Sequence, residues 1–156
     1  MNSIAEIVHA QGDLHSGVPN KNFGDMFLLV WKVPDFTDNF SDIEISEVIS
    51  ELNSLAEMAV LTCLKIFGKV YSYQHIRELC EGEEMTSAFP GYKPNLGIGI
   101  HYGYAIEGTI GSSYKVDATY ISPDVDATKE LCQACEYYGV DVIISEQAYK
   151  LMSDDF

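Results

Sequence analysis

The run MFLLVW, Met26 to Trp31, is apolar at all six positions and follows the dipeptide Gly24-Asp25. An unbroken apolar run of strand length behind a tight-turn dipeptide reads as a buried strand, because a half-exposed strand would alternate. The turn joins it to the preceding KNF, which predicts a β-hairpin with Asp25 at or near its tip. A helix over residues 43–67 supplies cover for such a strand. It carries Ile49, Leu52, Leu55, Met58, Ala59, Leu61, Leu64 and Ile66 at helical spacing and is expected to halt around Gly68.

The other elements follow from the same periods. Ile4, Ile7 and Val8 predict a helix over 3–10 with Ser3 as its cap, ahead of the turn-rich QGDLHSGVPN. A helical piece over 72–81 leads into the turn FPGYKPN. The last third is β-rich, with strands expected at 96–102 and 104–110, separated by Gly103, and at 114–121. Ser122-Pro123 supplies an N-cap and a first-turn proline for a helix to about Tyr138. A strand over 140–144 and a short helix over 145–152 complete the series. Helices alternating with paired strands predict an α+β sandwich, one domain with helices over one sheet face.

The 156 residues are 47% hydrophobic and 21% charged, which fits a single domain with a core and excludes a disordered chain. Nine Lys and Arg against 24 Asp and Glu leave a net charge of -15. That field repels phosphate backbones and anionic lipid, so no nucleic-acid partner and no basic membrane-binding patch is expected. It also disfavours an anionic nucleotide unless Mg²⁺ or a basic partner offsets it. No signal peptide and no long apolar span is present, which predicts a soluble segment in a reducing, intracellular setting without direct membrane insertion.

Two groups resemble metal sites. Cys132 and Cys135 form a CxxC, but no second pair or nearby His completes a zinc set, so ordinary core or half-buried thiols are expected, as at Cys63 and Cys80. Asp35, Asp38, Asp42 and Glu44 lack the order and central glycine of a calcium loop and read as a solvated loop and helix start.

KNFGD followed by MFLLVW resembles the hairpin of class III adenylyl and guanylyl cyclases. LGIGIHYGYAIEGTIGS resembles the GIHxGxxxxGxxG segment of the same family, with Gly99, Gly103, Gly108 and Gly111 on the pattern. The similarity is to the protist type and spans nearly the whole chain. It implies a ferredoxin-like βαββαβ core that dimerises, with sites between two domains. The family joins a 3′-hydroxyl to the α-phosphate of the same nucleotide, using two aspartate-held metal ions.

By that resemblance Asp25 matches the second metal aspartate, an oxygen ligand for Mg²⁺ or Mn²⁺ where a nucleotide is bound. Lys21 matches the purine-reading position and is of the adenylyl kind, while Thr119 falls at the second purine-reading position. Aligning DVDATKELC on the pattern TVNLAARLE places Asp126 at the ribose-binding Asn and Glu130 at the transition-state Arg. Asp only accepts where Asn also donates, and Glu130 reverses the sign of the Arg. Loss of a single positioned donor costs about 2.7–4 kcal/mol of transition-state stabilisation. Asp126 and Glu130 lie one helical turn apart and could chelate a cation. No further ligand on that helix completes a shell, and Lys129 offsets the charge, so a solvated acidic face is expected.

The resemblance also predicts a gap. Only 20 residues precede Lys21, and none resembles the family's first strand with its metal aspartate; Asp13 sits in the turn after the first helix. That strand would be central in the sheet, so the segment is expected to belong to a longer chain or to have a partner in the gap. The chain stops at SDDF, ahead of the family's closing strands and their phosphate-binding Lys. The expected function is that of a catalytically inactive pseudocyclase acting in dimerisation, scaffolding or regulation. The expected partner is another cyclase-type domain, in a homo- or heterodimer, or a larger assembly. Alternatives are the metal-supplying half of a heterodimeric cyclase acting on ATP or GTP, and a nucleotide sensor without turnover. By resemblance alone, the setting is the cytoplasmic side of a ciliary or membrane-attached protein.

Overall fold

The computed structural model describes residues 2–33 and 42–153. The carboxylates of Asp35, Asp38, Asp42 and Glu44 and the final DDF lie outside the described residues.

Helix α1 (Asn2–Leu14) already includes Asn2, so Ser3 lies inside it rather than capping it, and the helix continues past residue 10 through Gly12. Its glycine lets the helix close on the sheet: a Cβ on Gly12 would stand 3.1 Å from the Leu29 side chain. Strands β1 (Val18–Phe23) and β2 (Met26–Val30) form the expected antiparallel hairpin, with Phe23 opposite Met26. Gly24 takes the positive φ of 67° that suits a two-residue loop, and Asp25 is the other loop residue.

Helix α2 (Asp42–Ser72) does not halt at Gly68. The stripe Ala59, Cys63, Ile66 continues to Val70, which is 1% exposed, and its burial offsets the cost of about 1 kcal/mol for a mid-helix glycine. Helix α3 (Gln74–Glu81) is followed by a short α4 (Glu83–Ala88) that the sequence periods did not predict. Val8, Ile66, Val70 and Ile76 form the buried core, joined by Phe27 and Leu29 of β2 and by Leu96 and Ile98 from the later strand region.

Strand β3 (Ile98–Ile100) is shorter than the expected 96–102 and pairs in parallel with β6 (Val142–Ile144). Strands β4 (Ile106–Gly111) and β5 (Val116–Ile121) form an antiparallel ribbon, with β4 exposed along its length. Helix α5 (Pro123–Tyr138) has the expected cap: Ser122 Oγ accepts from the Val125 amide at 3.1 Å. Gly139, left-handed at φ 66°, closes it. Helix α6 (Glu146–Tyr149) is capped by Ser145 in the same manner and stops short of the expected residue 152.

The architecture is mixed α+β. Its strands make three two-stranded ladders, β1-β2, β3-β6 and β4-β5, where one sheet was expected. No helix among the described residues is long and apolar enough to cross a membrane.

Packing of α5 on β3 depends on Gly99. A Cβ there would lie 2.6 Å from the Cys132 amide nitrogen and 2.7 Å from the Thr128 carbonyl, both backbone atoms that cannot step aside. Gly108 of β4 has no such neighbour within 4 Å. Denaturant unfolding should therefore show Gly99→Ala destabilised by about 1–3 kcal/mol, with Gly108→Ala within about 0.5 kcal/mol of the parent.

Candidate functional site

The first half of α5 meets both the hairpin, through Lys129 over the Phe23 ring, and the segment after β3, through Asp124. Asp124 lies in the first turn of the helix. Its Oδ1 meets His101 Nε2 at 3.1 Å, and its Oδ2 accepts the Tyr104 amide at 3.0 Å. A Cβ on Gly103 would collide with this carboxyl, 2.4 Å from its Cγ. The carboxyl thus holds the 101–104 segment against α5, which accounts for β3 ending at Ile100 and the ribbon starting only at Ile106. The His101 hydrogen bond and then the Tyr104 amide hold the Asp124 carboxyl below its ordinary range. Sequence reasoning did not single out His101 or Asp124. The available signal was a histidine in a glycine-spaced strand and an aspartate in the first turn after Ser-Pro.

The expected site residues fall in three places. Asp25 is exposed at the hairpin loop and borders a cleft with Phe23, Gly99, His101 and Lys129. Asp126 and Glu130 are exposed and line a separate shallow depression with Ile121, Pro123 and Ala127. Lys129 joins the two regions. Its Nζ pairs with Asp126 Oδ1 at 2.7 Å and lies 4.4 Å from the Phe23 ring centre. The third place is where β1 approaches β5. Asn20 Nδ2 reaches the Ala118 carbonyl at 3.5 Å, and Lys21 contributes to holding the Asp117 carboxyl low, after the larger effect of Lys115. Thr119 is 8% exposed on the same strand.

A divalent cation does not fit this donor set by itself. Asp25 offers one carboxylate, and among the described residues no three His, Cys, Asp or Glu side chains come together as ligands. The CxxC has a packing role. Cys132 Sγ donates to the Gly97 carbonyl at 3.2 Å and Cys135 Sγ to the Ile98 carbonyl at 3.5 Å. Burial pushes the Cys63 thiol up to about 12 and raises Cys132 as well, so neither is a ready thiolate.

No protein-family profile matches the chain. Over 59 residues it is 30% identical to the adenylate cyclase of Anabaena cylindrica, a stretch covering 38% of this chain and 12% of that relative. Two structures of a bacterial light-regulated adenylyl cyclase superpose with TM-scores of 0.67 and 0.66, each at 21% identity. They cover 99% and 97% of this chain, which spans 38% and 37% of theirs. The chain therefore has an adenylyl-cyclase-like fold and corresponds to little more than a third of those proteins.

A carboxyl held low in the folded state stabilises above its unfolded pKa of about 3.9 and loses that contribution as pH falls through the lower folded value. Asp124→Asn should accordingly be less stable than the parent near neutral pH, and the gap should close in acid. Urea unfolding of both proteins across the acid range measures it.

Proposed function

We propose that this chain is a cyclase-homology domain of cyclic-nucleotide signalling that has lost catalysis and serves in dimerisation, scaffolding or regulation. The observation that carries the reading is the charge at the start of α5. Asp126 and Glu130 stand exposed where the resemblance expects a ribose-binding Asn and a transition-state Arg, and Lys129 is engaged by Asp126. A triphosphate approaching that turn meets carboxylates, the wrong sign for stabilising developing negative charge. The cyclase-like fold supports a ferredoxin-like arrangement of the ladders and a second cyclase-type domain as partner. The protist-type resemblance supports a signalling setting such as a cilium or a membrane-attached protein.

The metal-supplying half-site reading has less support, because among the described residues Asp25 belongs to no group of three or more His, Cys, Asp or Glu side chains that could hold a metal. Nucleotide binding without turnover has one observation in its favour, the placement of Lys21 beside the strand that carries Asp117 and Thr119.

Incubation of the chain with ATP or GTP and Mg²⁺ or Mn²⁺ should yield no cAMP or cGMP above a protein-free control; metal-dependent product from the chain alone overturns the proposal. On the binding reading, millimolar ATP with Mg²⁺ raises the melting temperature of the parent and not of Lys21→Ala. An unshifted parent eliminates nucleotide binding and leaves the scaffold.

A further inference from the structure

Gly68 lies inside α2, where alanine is the more favourable residue, and nothing within the described residues calls for a glycine there. Its φ is not positive, unlike those of Gly24, Gly91 and Gly139. A Cβ on it would meet no atom within 4 Å, whereas at Gly99 the same atom would strike the backbone of α5. Neither the local conformation nor the packing of this chain accounts for the residue.

What surrounds it is an apolar seam on the outer side of the helix. Leu61, Leu64, Gly68 and Tyr71 follow at intervals of three, four and three residues, so they form one line along α2. That line faces away from Cys63, Ile66 and Val70, which enter the core. Leu64 is 59% exposed and Tyr71 50%, and Phe67 stacks on Tyr71 at 6.1 Å along one margin. Lys65 and Lys69 stand exposed along the other margin, and neither forms an ion pair among the described residues. Four residues before Leu61, the same line reaches Glu57, where the Ser153 amide and hydroxyl donate to Oε1 at 3.2 and 2.5 Å. The chain's own segment thus covers the seam at Glu57 and leaves it open over the two turns from Leu64 to Tyr71.

We propose that this seam docks one amphipathic helix of a partner protein, crossing α2 at Gly68 with acidic residues laid along Lys65 and Lys69. A glycine with open space above it lets another helix backbone come close, and Leu64 and Tyr71 wall the crossing point on either side. A helix suits the seam where a strand does not, because the backbone groups in the middle of α2 are already bonded along the helix and offer no ladder. The sign of the flank follows from the lysines, a local exception in a chain of 24 Asp and Glu against nine Lys and Arg. A second copy laid antiparallel about a two-fold axis through Gly68 would bring its own lysines to the same margin, like charge against like. The carboxylates of α5 take no part, so the docking face stands whether or not the chain turns over a nucleotide.

The test titrates a fluorescein-labelled peptide of about four helical turns onto the chain, with leucines at three-four spacing and glutamates beside them. A second peptide carries lysines in place of the glutamates, and anisotropy reads both. The glutamate peptide should bind, and the lysine peptide should bind about tenfold more weakly or worse. Gly68→Gln should raise the melting temperature, since Gln is the better helix former in open space, yet weaken the glutamate peptide by about tenfold or more. Lys65→Glu combined with Lys69→Glu should invert the preference between the two peptides. No binding of the glutamate peptide at millimolar concentration, equal binding of both peptides, or full binding to Gly68→Gln overturns the proposal. Self-association of the parent that Gly68→Gln abolishes, read by sedimentation, also overturns it, by assigning the seam to a second copy.

Discussion

The close approach of α5 to β3 is the constraint on which the rest of the structure depends. Gly97 and Gly99 let the helix backbone come within a distance that a Cβ would forbid, and Cys132 and Cys135 fill the remaining gap against the strand carbonyls. With the helix seated there, its first turn is placed over the end of β3. Asp124 can then hold His101 and the Tyr104 amide, and Lys129 can lie across Phe23 of the hairpin. Hairpin, parallel ladder and helix are thereby tied at one corner of the fold.

The early turns of α5 at that corner carry exposed carboxylates, Asp126 and Glu130. Exposed carboxylates on an α-helix cost little when a neighbouring lysine pairs with one of them. The helix therefore keeps its cap, its position and its packing while presenting charge of the sign that phosphates avoid. The scaffold rests on Ser122, Gly97 and Gly99 and the exposed acidic face on Asp126 and Glu130, so the two are separable.

Core formation is uneven. Val8, Ile66, Val70 and Ile76 close one end of the molecule, whereas the stripe of α2 nearer its start stays only half-buried over the cleft. The exposed β4-β5 ribbon is tied back to the body by the ion pair of Lys32 with Glu107, at 2.6 Å.

Local chemistry made much of this legible from residues alone. Gly24-Asp25 determined the hairpin loop, Ser122-Pro123 determined the start of α5, and the 3.6-residue period located α2, because each of these signals acts within a few residues. The aspartate and glutamate of SPDVDATKE were readable as a solvated acidic helix face on the same ground. Tertiary structure alone carried α2 past Gly68, since only the burial of Val70 outweighs a helix-breaking glycine. It alone joined β3 to β6 across more than forty residues and set Asp124 against His101, contacts that no local period encodes. It also separated Asp25 from the depression holding Asp126 and Glu130, and opened the cleft between β2 and β3, because pairing of distant strand edges is decided by which backbones the packed helices bring side by side.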